Sequence, residues 1–193
     1  MEANLHNIYL LRAIEAYPYE LEKAVEALNY ALAYDPNSVM ALCLMARVYD
    51  EQLGDKATAK TYYERAMASN MDIPAIYPDF IRLLINNGDF EEAQKLIDFA
   101  MTIKGIDKAG ILLNQAYLFE AQKDFKRAAE VLQDAKLFAL NNDFIYFADE
   151  VIKRVDKKAK MQNNKNRKDE AVTKKEAEKP KVNWFQNRLN NLL

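Results

Sequence analysis

Apolar positions in the first three quarters of the chain recur at helical spacing, in short segments separated by polar turns. Ala24, Ala59, Ala93 and Ala128 stand 35, 34 and 35 residues apart. Each is followed four residues on by a bulky apolar residue (Leu28, Tyr63, Ile97, Leu132) and seven on by a second alanine (Ala31, Ala66, Ala100, Ala135). Offsets of four and seven share one helix face. The small–large–small stripe lets a second helix approach closely and lock around the bulky residue. Repeated at this interval, it predicts a stack of helical hairpins.

The turns agree with this reading. Pro18 closes a first helix, 5–16, because proline disfavours helical geometry in the residue before it. A second helix follows over 20–34, up to Asp35-Pro36-Asn37. Ser38 is placed to cap the next helix. Gly54-Asp55, Gly88-Asp89-Phe90 and Lys123-Asp124-Phe125 make the later turns, and Asp89 with Glu92 has capping-box spacing. Pro74 suits a first helical position, whereas Pro78 either costs one backbone hydrogen bond or delays the helix start. From Asp143, the stripe Phe144, Phe147, Val151, Ile152 and Val155 predicts a helix with one wet face, as the end of a stack requires. Residues 1–155 are therefore expected to form the stack with its capping helix. Residues 156–181, poor in apolar side chains, are expected to be a flexible basic linker or a lone solvated helix. Residues 182–193 regain apolar content, with Trp184, Phe185, Leu189 and Leu192 roughly along one helical side.

These motifs resemble the tetratricopeptide repeat (TPR) family. The resemblance rests on Met45-Ala46, Tyr49, Gly54 and Ala59-Tyr63-Ala66, on Tyr77, Phe80, Leu84, Gly88-Asp89-Phe90 and Ala93-Ile97-Ala100, and on Ala116, Phe119, Asp124-Phe125 and Ala128-Leu132-Ala135. In the first repeat it rests on Ala24-Leu28-Ala31 and Pro36. Departures are an extra residue near Leu53, no glycine in the first turn, and no terminal proline in repeats two to four. The resemblance implies an all-α solenoid of four repeats whose first helices line a concave groove. Tyr9, Met40, Arg47, Arg82, Asn86 and Tyr117 are the groove residues expected to contact a partner. Tyrosine offers area at low entropic cost, and arginine offers a planar fork for carboxylates. The clamp by which some family members hold chaperone C-terminal carboxylates needs Lys, Asn, Asn, Lys and Arg. The corresponding residues here are Tyr9, Ala13, Leu44, Ala75 and Asp79, so carboxylate-clamp binding is not expected.

Charge and chemistry sharpen the picture. The net charge of −2 conceals a split. Residues 1–152 carry 14 basic and 24 acidic side chains, a balance of −10, and residues 153–181 carry 12 and 5, a balance of +7. With one histidine (His6) and one cysteine (Cys43), no zinc spacing, internal disulfide or Cys/His catalytic set can be assembled. No glycine-rich phosphate loop occurs. Neither a secretory leader nor a long apolar run is seen, so a cytoplasmic protein is expected. The expected function is a non-catalytic, cofactor-free adaptor that binds a peptide or partner protein in its groove. The C-terminal motif would tether it to that partner, to a neighbouring copy or to itself. Two other readings stand beside this one. The chain is a structural subunit of a larger assembly, or its basic linker (Lys157, Lys158, Lys160, Lys165, Arg167, Lys168, Lys174, Lys175) meets phosphates on RNA, the ribosome or an anionic membrane.

Overall fold

The repeated stripe is the buried spine of the molecule. The computed structural model describes residues 8–177, and these hold nine α-helices and no strand. Four hairpins follow one another: α1 (Ile8–Ala16) with α2 (Leu21–Tyr34), α3 (Val39–Arg47) with α4 (Lys56–Ser69), α5 (Tyr77–Asn87) with α6 (Phe90–Ala100), and α7 (Lys108–Ala121) with α8 (Phe125–Leu137). A final helix, α9 (Asn142–Ala177), packs on α8. All eight stripe alanines are fully buried, and so are Leu28, Tyr63, Ile97 and Leu132 between them. Burying each such bulky side chain stabilises the fold by about 1.5–3 kcal/mol. Neighbouring hairpins touch through α2 and α3, α4 and α5, and α6 and α7. First helices also touch, α1 with α3 and α5 with α7.

The turns are set by backbone chemistry. Gly54, Gly88 and Lys123 each adopt positive φ (68°, 87° and 63°) one residue before an aspartate N-cap. Lys123 accepts a conformation that glycine holds in the other two turns. Asp55 and Asp124 cap in the expected way, accepting from Thr58 N at 3.0 Å and Arg127 N at 3.1 Å. Asp89 does not: its carboxylate accepts from Asn87 Nδ2 at 2.7 Å instead, and no capping box forms. Ser38 stands at the N-cap of α3 without a side-chain cap bond. The proline pair resolves as a delayed start, with a 3-10 turn at Pro74–Ile76 and α5 beginning at Tyr77.

The extra residue near Leu53 is taken up by a π-helical turn, Val48–Gln52, where Leu53 N bonds Val48 O at 3.2 Å. Such a turn lengthens a helix by one residue without breaking it.

The capping helix differs from its expected form in two ways. Val151 and Val155 are buried against Ala116, Phe119 and Leu132 as expected, but Phe147 is half exposed and Ala148 takes the buried place. Asp149, outside the predicted apolar stripe, accepts from Lys136 Nζ of α8 at 2.6 Å. The helix also continues unbroken past Val155 to Ala177, so the boundary drawn there is a change of polarity and not of backbone. Residues 156–177 contain neither glycine nor proline, and their seven lysines and three alanines are favourable in helices.

Two outcomes follow. Ala93→Leu or Ala128→Leu overpacks the hairpin contact and lowers stability by about 1–3 kcal/mol in a denaturant melt. Cys43 is buried in α3, and burial, with Asp79 nearby, pushes its thiol up to about 12. It therefore stays unmodified by a thiol reagent at pH 8 in the folded protein and reacts once the chain is denatured.

Candidate functional site

The face formed by the first helices carries a connected set of charged and aromatic side chains. Arg47 (α3) and Glu51, on the π turn that follows, stand one helical turn apart; so do Asp79 and Arg82 on α5. Stacking brings the two pairs together. Arg82 Nη2 lies 2.8 Å from Glu51 Oε1 and 3.1 Å from Asp79 Oδ1, and Arg47 Nε lies 3.6 Å from both carboxylates. Tyr17, in the turn after α1, donates its hydroxyl to Glu51 and lies with its ring 5.0 Å from the Arg47 guanidinium. Burial works against the charge on Arg47, but Glu51 and Asp79 outweigh it and raise its pKa. Burial raises the pKa of Asp50, beside this network, and Arg82 opposes it. These groups are partly exposed, so each pair adds on the order of 0–1 kcal/mol. Their effect is to fix positions.

Next to Arg82, a cavity of about 340 Å³ opens between α5, α7 and α9. Ile85 and Asn86 line it from α5, Asn114, Tyr117 and Glu120 from α7, and Lys158 from α9. Asn114 Nδ2 donates to Pro78 O at 3.2 Å, tying α7 to the start of α5. The Asn86 carbonyl accepts from Lys56 Nζ at 2.7 Å. Tyr117 is half-buried with Arg154 5.8 Å from its ring; burial raises its pKa and Arg154 works the other way. The Glu120 side chain is only 10% exposed and accepts from Arg154 Nη2 and Lys158 Nζ, both at 2.7 Å. Burial alone would raise its pKa; the hydrogen bonds from Lys158 and Arg154 outweigh burial and lower it.

The six residues expected in the groove thus divide. Arg82, Asn86 and Tyr117 share one cavity, and Arg47 joins them through Glu51 and Asp79. Tyr9 lies apart, in a groove of the first hairpin, with its ring 5.2 Å from that of Tyr30. Met40 is exposed at the first turn of α3, seven residues before Arg47. Of the two arginine forks expected to be open to a partner carboxylate, that of Arg82 is held by Glu51 and Asp79 of the chain itself, whereas Arg47 stands 3.6 Å from the same carboxylates with its buried Nε making no hydrogen bond among the described residues. Sequence reading missed Glu51, Asn114 and Arg154 here, and it read Lys158 as a phosphate contact, not as a partner of Glu120. The signal was present, because Glu51–Arg82 and Glu120–Arg154 are each separated by about one repeat. The C-terminal motif, Trp184, Phe185, Leu189 and Leu192, lies outside the described residues. Among those residues, no cluster of three or more metal-ligating side chains occurs. No helix is long and apolar enough to cross a membrane.

Comparison with known proteins adds to the fold. No protein-family model and no curated protein matches the sequence. Among solved structures, one reported as the functional characterization of Pseudomonas aeruginosa pilF matches with a TM-score of 0.63 and 19% identity. The match covers 75% of this chain and 69% of that one. At that identity the likeness concerns fold alone. With the stacked hairpins described above, it establishes a TPR-like all-α solenoid.

The Glu120 anchor can be tested by pH. Its folded pKa is lowered from the ordinary 4.5, so its contribution is fully present at neutral pH and is lost as pH falls through the folded value. Glu120→Gln is therefore expected to cost about 1–2 kcal/mol at pH 7 and to flatten the decline of stability below pH 4.5. Hydrogen exchange of residues 151–160 should rise in the same variant.

Proposed function

We propose that this protein is a non-catalytic adaptor that binds a peptide or partner protein on the face of its first helices, with the cavity at Arg82, Asn86 and Tyr117 as the centre of contact. The observation that carries this reading is the convergence of two helices and the capping helix on one amide- and aromatic-lined cavity within a TPR-like fold. Folds of this kind serve protein interaction through extended concave surfaces. The cavity offers a partner the Asn86 side chain, the Tyr117 ring and the stem of Arg82, with Ile85 as an apolar contact. The proposal includes a cytoplasmic location and a docking role for residues 182–193.

A second reading, contact with phosphates on RNA or an anionic membrane, draws support from one observation. Lys157, Lys160, Lys165 and Arg167 are exposed along the solvated part of α9. Binding through them would weaken steeply with salt, whereas cavity binding would not.

The test is a photo-crosslinker placed at Asn86 in the native cell. A discrete partner adduct is expected there, and none from the same group at Glu130 on the exposed side of α8. Asn86→Ala combined with Tyr117→Ala should then weaken binding of that partner at least tenfold with helix content unchanged. Equal adducts at both positions, or unchanged affinity in the double variant, would remove the cavity from the mechanism.

A further inference from the structure

We infer that the groove between α1 and α2 receives residues 182–193 of a second copy of this chain, so that copies join head to tail. The inference builds on the docking role proposed for that segment and does not depend on the α5–α7 cavity.

The receiving side is apolar and incompletely covered. Among the described elements α1 packs chiefly against α2 and α3. Ile8, Leu11 and Ile14 on its outer side remain 54%, 48% and 48% exposed, and Tyr30 of α2 52%. Tyr30 also walls a groove of about 400 Å³ together with Tyr9 and Ala27, while Ile8, Leu11 and Ile14 stand outside its lining. Its rim is acidic on balance: Glu15, Glu20 and Glu26 outnumber Arg12 and Lys23.

The segment matches that surface in both respects. Phe185, Leu189 and Leu192 stand at offsets of four and seven, with Trp184 adjacent, the anchor spacing by which an amphipathic helix fills an apolar groove. Residues 179–193 contain Lys179, Lys181 and Arg188 and no acidic side chain, opposite in sign to the rim. Charge of this kind sets register and speeds encounter more than it adds affinity.

Geometry selects a second copy over the same one. Asn163 is the last α9 residue lining a contact with the α7–α8 turn. The helix then runs on to Ala177, about 21 Å further at 1.5 Å per residue. From α9 to α1 there are four steps between first helices, about 35–40 Å at ordinary interhelical distances. The seven residues from Ala177 to Trp184 span at most about 25 Å. The segment therefore falls short of the groove on its own chain and is carried outward toward another. A contact of this heterologous kind builds either a ring or an open chain of copies.

Complementation tests the arrangement in the full-length protein. One variant carries Trp184→Glu and Phe185→Glu; the other carries Tyr30→Lys. By sedimentation, the parent protein should grow in mass with concentration, each variant alone should remain a monomer, and an equimolar mixture should stop at a dimer. A parent that is monomeric throughout, variants that still associate, or a mixture that does not pair would each overturn the proposal. Where the Lys variant melts early, a photo-crosslinker at Tyr30 in a mixture of ¹⁴N- and ¹⁵N-labelled copies gives the answer instead. Adducts joining the two labels through residues 182–193 support the contact. Adducts within one copy, or to residues 1–7, overturn it. The Asn86→Ala, Tyr117→Ala variant keeps the assembly if the groove is the receptor; loss of assembly there would move the receptor to the cavity and overturn this proposal while leaving partner binding at that cavity to its own test.

Discussion

The structure depends on one steric constraint: the backbone of each second helix must approach its neighbours as closely as an alanine allows. Eight alanines hold that position, and none of them is accessible to solvent. Interiors pack at crystal-like density, so a stripe of this kind tolerates neither larger side chains nor a shift in phase. The aspartate four residues before Ala59, Ala93 and Ala128 starts each helix in the same phase, and the left-handed residue before it redirects the chain. Stripe and turn together fix where the first helix of every hairpin must lie, and hence which of its side chains face their counterparts in the next repeat.

The same constraint explains the π-helical irregularity after α3. Between Ala46 and Ala59 the chain has a residue more than the spacing needs. The α4 stripe cannot slip to absorb it without exposing Tyr63 and burying charge. The residue is taken up upstream, as the π turn at Val48–Gln52. Glu51 belongs to that turn, where it meets both Tyr17 and Arg82. The ion network at the candidate site is thus a consequence of preserving the phase of α4.

What was legible in the sequence was local or periodic. The alanine stripe, the hairpin turns and the capping helix are patterns carried by neighbouring residues, and they read out directly. Ser38 and Asp89 read as side-chain caps because their spacing allowed it, yet Asp89 bonds Asn87 and lies 3.7 Å from Lys60 of the preceding hairpin. A competing partner from another repeat is invisible to a local rule. The pairing of Arg47 and Arg82 was hidden for the same reason, although the partners sit about one repeat apart and a search at that interval would find them. Residues 156–177 were read chiefly from their low apolar content, which decides whether a segment can bury itself. Whether an unburied segment stays helical is decided by propensity and by the absence of glycine and proline, and these favour the helix.

The internal pairing also bears on what the proposed site selects. A ligand carboxylate approaching Arg82 must displace Glu51 or Asp79, exchanging one ion pair for another with little net gain. Lys158, on the far wall, is already held by Glu120. On the proposed reading, formal charge therefore contributes little to recognition at the cavity. What a partner meets there is shape, an apolar contact at Ile85 and the Tyr117 ring, which already has Arg154 on one side. A partner offering main-chain amides and an apolar side chain gains these contacts without first breaking an ion pair. An acidic partner has no such advantage, which separates this groove physically from clamps that hold carboxylates with uncommitted lysines and arginines.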